Sequence, residues 1–230
     1  MDDDLWHQFA DLARRMSDSS GLGETLQTAV DGAVALISHA EAACISMVRN
    51  NRRIETPAAT NDVCRRGDEL QYELGEGPCL QSIHEQETVI SHDLSTETRW
   101  PTWSRRVSEE CGVRSMLCVQ LFVTHDTIGA LNLYSSEVKA FDGDDQAVAL
   151  SLAAHVAVAL SAAREFETLE SAVATRTVIG QAEGMLMYRY ELTPAQAFAV
   201  LARQSQASNR KLRDIAAEIV RNGVRSQYLH

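Results

Sequence analysis

The chain has 230 residues and a formal net charge of −11. An acidic body of this kind repels nucleic acid over a Debye length of roughly 8 Å at physiological salt, so any nucleic-acid contact needs a segregated basic region. The five cysteines, Cys44, Cys64, Cys79, Cys111 and Cys118, form neither a C-x-x-C pair nor a zinc spacing, which excludes a structural zinc module and leaves free thiols suited to a reducing compartment.

Met1-Asp2-Asp3-Asp4 lacks the basic and apolar regions of a signal peptide, so a cytoplasmic protein is expected. Leu5, Phe9, Leu12 and Met16 recur at helical spacing and predict a first amphipathic helix. Glu24 to His39 reads as a second. Ala42 to Arg49 reads as a strand, turned by Asn50-Asn51 into Arg52 to Thr60. Asp62 to Tyr72 and Pro78 to Gln86 look helical, and Thr88 to Ser91 is a short strand. Ser115 to Val123 and Thr127 to Ser135 form a hairpin joined near His125-Asp126. Helices at both ends of a mostly antiparallel sheet define an α+β fold.

This block carries Gly75-Glu76-Gly77-Pro78, then Val89-Ile90-Ser91-His92-Asp93-Leu94 followed by Arg99-Trp100-Pro101. Gly129-Ala130-Leu131-Asn132-Leu133-Tyr134 and Ala140-Phe141-Asp142-Gly143-Asp144-Asp145 follow. In these features it resembles a GAF domain, a small-molecule sensor fold. The resemblance implies a ligand lying against the sheet under the connecting loops, lined by Cys79, Trp100, Trp103, Leu117 and Tyr134. The Asn-Lys-Phe-Asp-Glu signature of cyclic-nucleotide GAF domains has no counterpart. Cys79 is followed by Leu80 rather than by the His of bilin-attaching domains. No cofactor and no metal are expected. Free methionine sulfoxide reductases are enzymes built on the same fold, with Cys64, Cys79 and Cys118 as the thiols to consider. No activating group is evident in the sequence near any of them, so a non-enzymatic role is expected.

Val148, Leu152, His155, Ala159, Ala162, Phe166, Leu169 and Val173 alternate at spacings of four and three, a heptad seam broken only by His155. No Pro or Gly interrupts it between Asp144 and Arg176. Paired with the first helix, it predicts a homodimer interface made of Leu5, Phe9, Leu12, Val148, Leu152, Ala159, Phe166, Leu169 and Val173, arranged as a four-helix bundle. The apolar run Ala147 to Ala163 contains Ser151, His155 and Ser161 and fits a bundle core better than a membrane span.

Beyond it, Ile179, Ala182 and Leu186 form a helical stripe. Thr193-Pro194-Ala195-Gln196 is a helix start with a capping box, and Ala197, Val200 and Leu201 follow. A further helix is expected from about Asn209, with Leu212, Ile215, Ala216, Ile219 and Val220 inside and Asn222-Gly223 as its stop. The text Arg176…Ile179-Gly180-Gln181-Ala182-x-Gly184-Met185-Leu186-Met187, Leu192-Thr193-x-x-x-Ala197-Phe198 and Ser208-Asn209-Arg210-Lys211-Leu212-x-x-Ile215-Ala216 resembles an ANTAR domain, the RNA-binding output module of bacterial transcription antiterminators.

The resemblance implies three helices and binding of paired stem-loops in nascent RNA, with Arg176, Gln181, Arg203, Ser208, Asn209, Arg210, Lys211 and Arg213 as contact residues. The family usually has Lys where this chain has Glu183, whose carboxylate repels phosphate. From Arg164 onward nine basic residues face seven acidic ones, about +2, which leaves about −13 for residues 1–163. The division expected is a sensor domain over 1–163 and an RNA-binding domain over 164–230. A tail that docks a protein partner instead of RNA is the alternative.

Overall fold

A computed structural model describes residues 3–49, 53–123 and 126–224. The expected turn at Asn50-Asn51, the hairpin tip at His125 and the basic residue Arg225 lie outside the described residues. The chain divides into two compact units, Met1–Arg164 and Glu165–His230.

In the first unit five antiparallel strands, β1 (Ala42–Val48), β2 (Ile54–Ala59), β3 (Val89–Ser91), β4 (Ser115–Val123) and β5 (Asp126–Ser135), form one sheet in the order β2-β1-β5-β4-β3. The fold is α+β. Residues with apolar side chains on both faces make β1 and β4 buried almost throughout, as expected for strands covered on both sides. Side chains alternate across a strand, so each strand feeds two cores.

On one face, Ala43, Ile45, Met47, Leu117, Val119, Leu121, Leu131 and Leu133 pack with buried residues of α1 (Asp3–Ser17), α2 (Leu22–Leu36) and the first part of α6 (Gly143–Tyr190). On the other, Cys44, Met116, Cys118, Ala130 and Tyr134 meet α3 (Asp62–Leu74), α4 (Pro78–Glu85) and α5 (Pro101–Cys111). Helix α3 starts where the Asn61 side chain accepts the Cys64 N–H at 3.2 Å, and Gly75, with φ of 68°, ends it. Two close backbone approaches depend on glycine. A Cβ on Gly32 would meet Leu12 Cδ1 at 2.5 Å, and one on Gly129 would stand 1.8 Å from the Ser46 carbonyl oxygen.

Three boundaries differ from the sequence reading. Helix α5 has no counterpart among the expected elements. Its buried residues are Trp103, Ser104 and Val107, too narrow a stripe to stand out, and Pro101 opens the helix rather than breaking it. The first of the expected tail helices is the end of α6, a single helix of 48 residues. Asn209 does not begin a helix: at φ 51° it is the left-handed cap of α7 (Pro194–Ser208), and α8 (Leu212–Asn222) starts three residues later.

By length and composition alone α6 is apolar enough to cross a membrane, yet a third of that apolar window is buried inside the protein. Leu152, Val156 and Leu160 belong to the core of the first unit. In the second unit, Ala182 and Leu186 of α6 pack with Ala197, Val200 and Leu201 of α7 and with Ile215, Ala216 and Ile219 of α8. The capping box between Thr193 and Gln196 is formed, fixing the start of α7.

Candidate functional site

The α3–α5 face of the sheet holds a buried polar cluster centred on Asp68. Its carboxylate is fully buried. It accepts hydrogen bonds from Ser46 Oγ at 2.7 Å, Thr56 Oγ1 at 2.8 Å, Tyr134 Oη at 2.5 Å, Asn132 Nδ2 at 3.0 Å, Gln71 Nε2 at 3.2 Å and Cys44 Sγ at 3.1 Å. These partners are hydroxyls, amides and a thiol rather than a cation. With the Tyr72 hydroxyl at 3.3 Å, seven donors offset the desolvation that an isolated buried carboxylate would suffer. Tyr72 extends the network through its hydroxyl to Ser46 at 2.8 Å, and Gln71 receives the Cys79 N–H at 2.8 Å.

Thiols line this cluster. Cys79 Sγ donates to Ser46 Oγ at 3.2 Å, and Cys118 Sγ donates to Asn132 Oδ1 at 3.1 Å. Burial, reinforced by the Asp68 charge, pushes the Cys79, Cys118 and Tyr134 protons toward retention. Cys64 behaves differently. A side-chain hydrogen bond from Cys44 outweighs burial and draws the Cys64 thiol down to about 6. Cys44 is raised in turn, by burial first and by its contact with Cys64 second.

Of the expected ligand-lining residues, Cys79, Trp100, Trp103 and Tyr134 share this core. Trp103 donates its indole N–H to the Gly67 carbonyl at 3.0 Å, and Trp100 and Trp103 meet edge to face. Leu117 does not belong with them. It lies in the opposite core, because its β4 neighbours Met116 and Cys118 take the other face. The sequence reading missed Asp68, Ser46 and Asn132. Their signal was a polar side chain inside an otherwise apolar strand or helix stripe.

An open depression of about 90 Å³ lies at the end of β1 and β5, lined by Glu41, Ala42, Asn61, Val63, Cys111 and Tyr134 among others. Tyr134 thus lines this depression and sets its hydroxyl on Asp68.

The expected dimer seam is divided by the structure. Phe9, Leu12 and Leu152 are buried in the core of the first unit, and Leu5, Val148 and Ala159 pack partly against the same core. The close fit of Leu12 over Gly32 consumes the first-helix stripe internally. By contrast Phe166, Leu169 and Val173 are 57%, 59% and 64% exposed, as is Val158 at 66%. At 100° per residue Phe166, Leu169 and Val173, all in the second unit, fall within an arc of about 60° on α6.

In the second unit Arg176, Gln181, Arg203, Ser208, Asn209, Arg210, Lys211 and Arg213 are all exposed. Two of the cations are already paired: Arg210 with Glu218 at 2.8 Å, and Arg213 with Asp214 at 3.4 Å. Lys211 caps the start of α8. Among the aromatic side chains, Tyr188 is 91% exposed, while Tyr190 is half-buried and packs against the core. Among the described residues no group of three or more His, Cys, Asp or Glu is arranged to hold a metal ion.

A sheet with helices on both faces is followed in the chain by a small helical unit, and the family models that match the two segments are those of regulatory domains. The GAF domain family model matches residues 19–161, well over half of the chain, and the chain belongs to that family; the ANTAR domain model matches residues 167–220. No curated protein matches the sequence. Among solved structures, the GAF domain of an Acinetobacter phosphoenolpyruvate-protein phosphotransferase is similar at a TM-score of 0.56 and 16% identity, covering 72% of this chain and 97% of that one. A Stigmatella aurantiaca phytochrome photosensory core module gives 0.62 at 12% identity, covering 88% and 44%. Free methionine-R-sulfoxide reductase from Neisseria meningitidis gives 0.52 at 16% identity, covering 72% and 95%. At these identities the likeness concerns the fold alone.

Proposed function

We propose that the chain is a cytoplasmic, homodimeric regulator that binds paired stem-loops in nascent RNA and carries transcription past terminators. The ANTAR match over residues 167–220 is the observation that carries this reading. Its motif cations are exposed on a compact helical unit whose stretch of chain is more basic than the rest. Binding is chiefly electrostatic and position-fixing, with phosphate drawn to Arg176, Arg203, Lys211 and, on release from Glu218, Arg210.

Two copies pair through the exposed stripe of Phe166, Leu169 and Val173, which leaves the Phe9 and Leu12 stripe to the fold of each subunit. The GAF unit takes the input, a small ligand or a partner. Asp68 and its donors are the polar surface that a ligand would have to compete with. The chain works by binding and not by turnover.

The test is titration of a two-hairpin RNA at several salt concentrations. Arg176→Ala with Lys211→Ala should weaken binding to all hairpins alike and flatten the salt slope, by about 0.9 per lost contact on duplex. An unchanged slope overturns the assignment of these cations. Phe166→Asp should give a monomer by light scattering and lose more affinity for two hairpins than for one; equal losses remove the bivalent arrangement.

A further inference from the structure

The second unit packs one tyrosine into its core and leaves another, two residues away, in solvent. Tyr190 is half-buried against the α7–α8 core, whereas Tyr188 is 91% exposed, more than any other large apolar side chain among the described residues. An aromatic ring on a helix ordinarily rests on the side chain one turn back, toward the helix N-terminus. For Tyr188 that residue is Gly184, and Gly180 stands one turn further back. Both glycines are exposed, and a Cβ added to either would meet nothing within 4 Å. They weaken the helix without making room for any neighbour. The ring therefore has no side chain of its own helix beneath it for two turns.

We propose that Tyr188 is a stacking residue for an unpaired base in the loop of a bound RNA hairpin. The proposal rests on the RNA-binding reading and adds to it the residue that distinguishes loop from stem. Sequence-specific recognition of RNA falls on unpaired bases laid against aromatic faces, because side chains cannot read the deep, narrow major groove of an A-form stem. Tyr188 lies within the stretch that the ANTAR model matches. Exposed polar groups accompany it on α6. Gln181 falls within about 20° of Tyr188 and about 10 Å up the helix, and Arg176 about 18 Å up. Arg189 is exposed at the next position. Among the described residues neither Arg176 nor Arg189 is in an ion pair, so both are open to phosphate. Glu183, whose carboxylate repels phosphate, lies about 140° round the helix from Tyr188.

The occupant is a base and not a second copy of the chain. Heptads counted from Phe166 and Val173 put Gly180 in the pairing seam and Tyr188 at a b position, on the outer flank. A base has a π-face of the same size class as the phenol ring, and stacking removes both from water at once. The cations hold the backbone by charge, while Tyr188 acts only where a base is free to leave its stack.

The experiment uses the full chain and a two-hairpin RNA whose loops are randomised and enriched on the wild-type protein. A loopless duplex of the same stem sequence is the control. Tyr188→Ala should raise Kd for the enriched hairpins by about 5- to 150-fold, the span for one stacked base, and leave the duplex unchanged. Tyr188→Phe should restore most of that loss. The salt slope should stay as in the wild type, unlike that of the Arg176→Ala, Lys211→Ala pair, because a ring releases no counterions. With 2-aminopurine placed at each loop position in turn, the wild type and Tyr188→Phe should quench one position that Tyr188→Ala does not.

Hairpin binding by Tyr188→Ala equal to wild type, an equal loss on the duplex, or no quenched position with the wild type overturns the proposal and leaves the RNA reading standing. A monomer by light scattering for Tyr188→Ala overturns it in favour of a contact between copies. Wild-type protein that enriches no hairpin overturns the RNA reading itself, and this role with it. At 91% exposure the alanine variant gives up no core contact, so its melting temperature should match the wild type.

Discussion

The two faces of the sheet solve the same burial problem with opposite chemistry. Toward α1, α2 and α6 the strands present Leu117, Val119, Leu121, Leu131 and Leu133, a surface held by area and shape. Toward α3, α4 and α5 the same strands present Cys44, Ser46, Cys118, Asn132 and Tyr134 around one carboxylate. An apolar core tolerates exchange of one hydrocarbon for another of similar volume. A polar core is tolerant only while every donor keeps its acceptor. The contrast is between a face that tolerates repacking and a face that tolerates no unpaired donor.

The sharpest way to break this contrast is Asp68→Asn. The amide keeps the shape but brings two N–H groups to a point where seven donors already converge. Each stranded buried donor costs about 1–3 kcal/mol, so a loss of more than about 3 kcal/mol is expected in urea unfolding. Ser46→Ala comes next at about 1–3 kcal/mol, because Cys79 and Asn132 lose a shared acceptor. On the opposite face Leu117→Met should cost less than about 1.5 kcal/mol by the same measurement. If Leu117→Met proves as damaging as Asp68→Asn, the two faces do not differ as described.

The smallest effect concerns the rim of the polar face. Burial pushes Glu97 up, but the Arg99 guanidinium, its backbone N–H and the Ser91 hydroxyl prevail and hold its carboxyl down at about 2. A depressed carboxylate adds stability above its unfolded value near 4.5, and that contribution fades as pH falls from there toward 2. For a pair this close to solvent the gain is under about 1 kcal/mol. Glu97→Gln should flatten the melting temperature against pH between 4.5 and 2, lowering it slightly at pH 7 and leaving it nearly unchanged at pH 2.

How much of this was legible differs by region. The strands, the hairpin and the capping box at Thr193 followed from residue patterns, since period two and N-cap chemistry are local properties. Helix α5 did not, because one Trp, one Ser and one Val make too thin a stripe and the fold, not propensity, stabilises it. Leu117 was set on the wrong side because a sheet buried on both faces hides its alternation in an unbroken apolar run. The heptad count could not distinguish Leu152, buried in the first unit's core, from Phe166, which is left exposed. Asp68 was invisible for a related reason: its partners come from β1, β2, α3 and β5, brought together only by tertiary structure.

Gly129 has a consequence beyond its own strand. By letting the Ser46 carbonyl occupy the place of a side chain, it sets the depth of β1 at the very residue whose hydroxyl reaches Asp68. A methyl group at position 129 would shift β1 outward and detune the carboxylate and its sulfur neighbours without touching any of them. Loss-of-response alleles should therefore turn up at a residue that has no chemistry of its own.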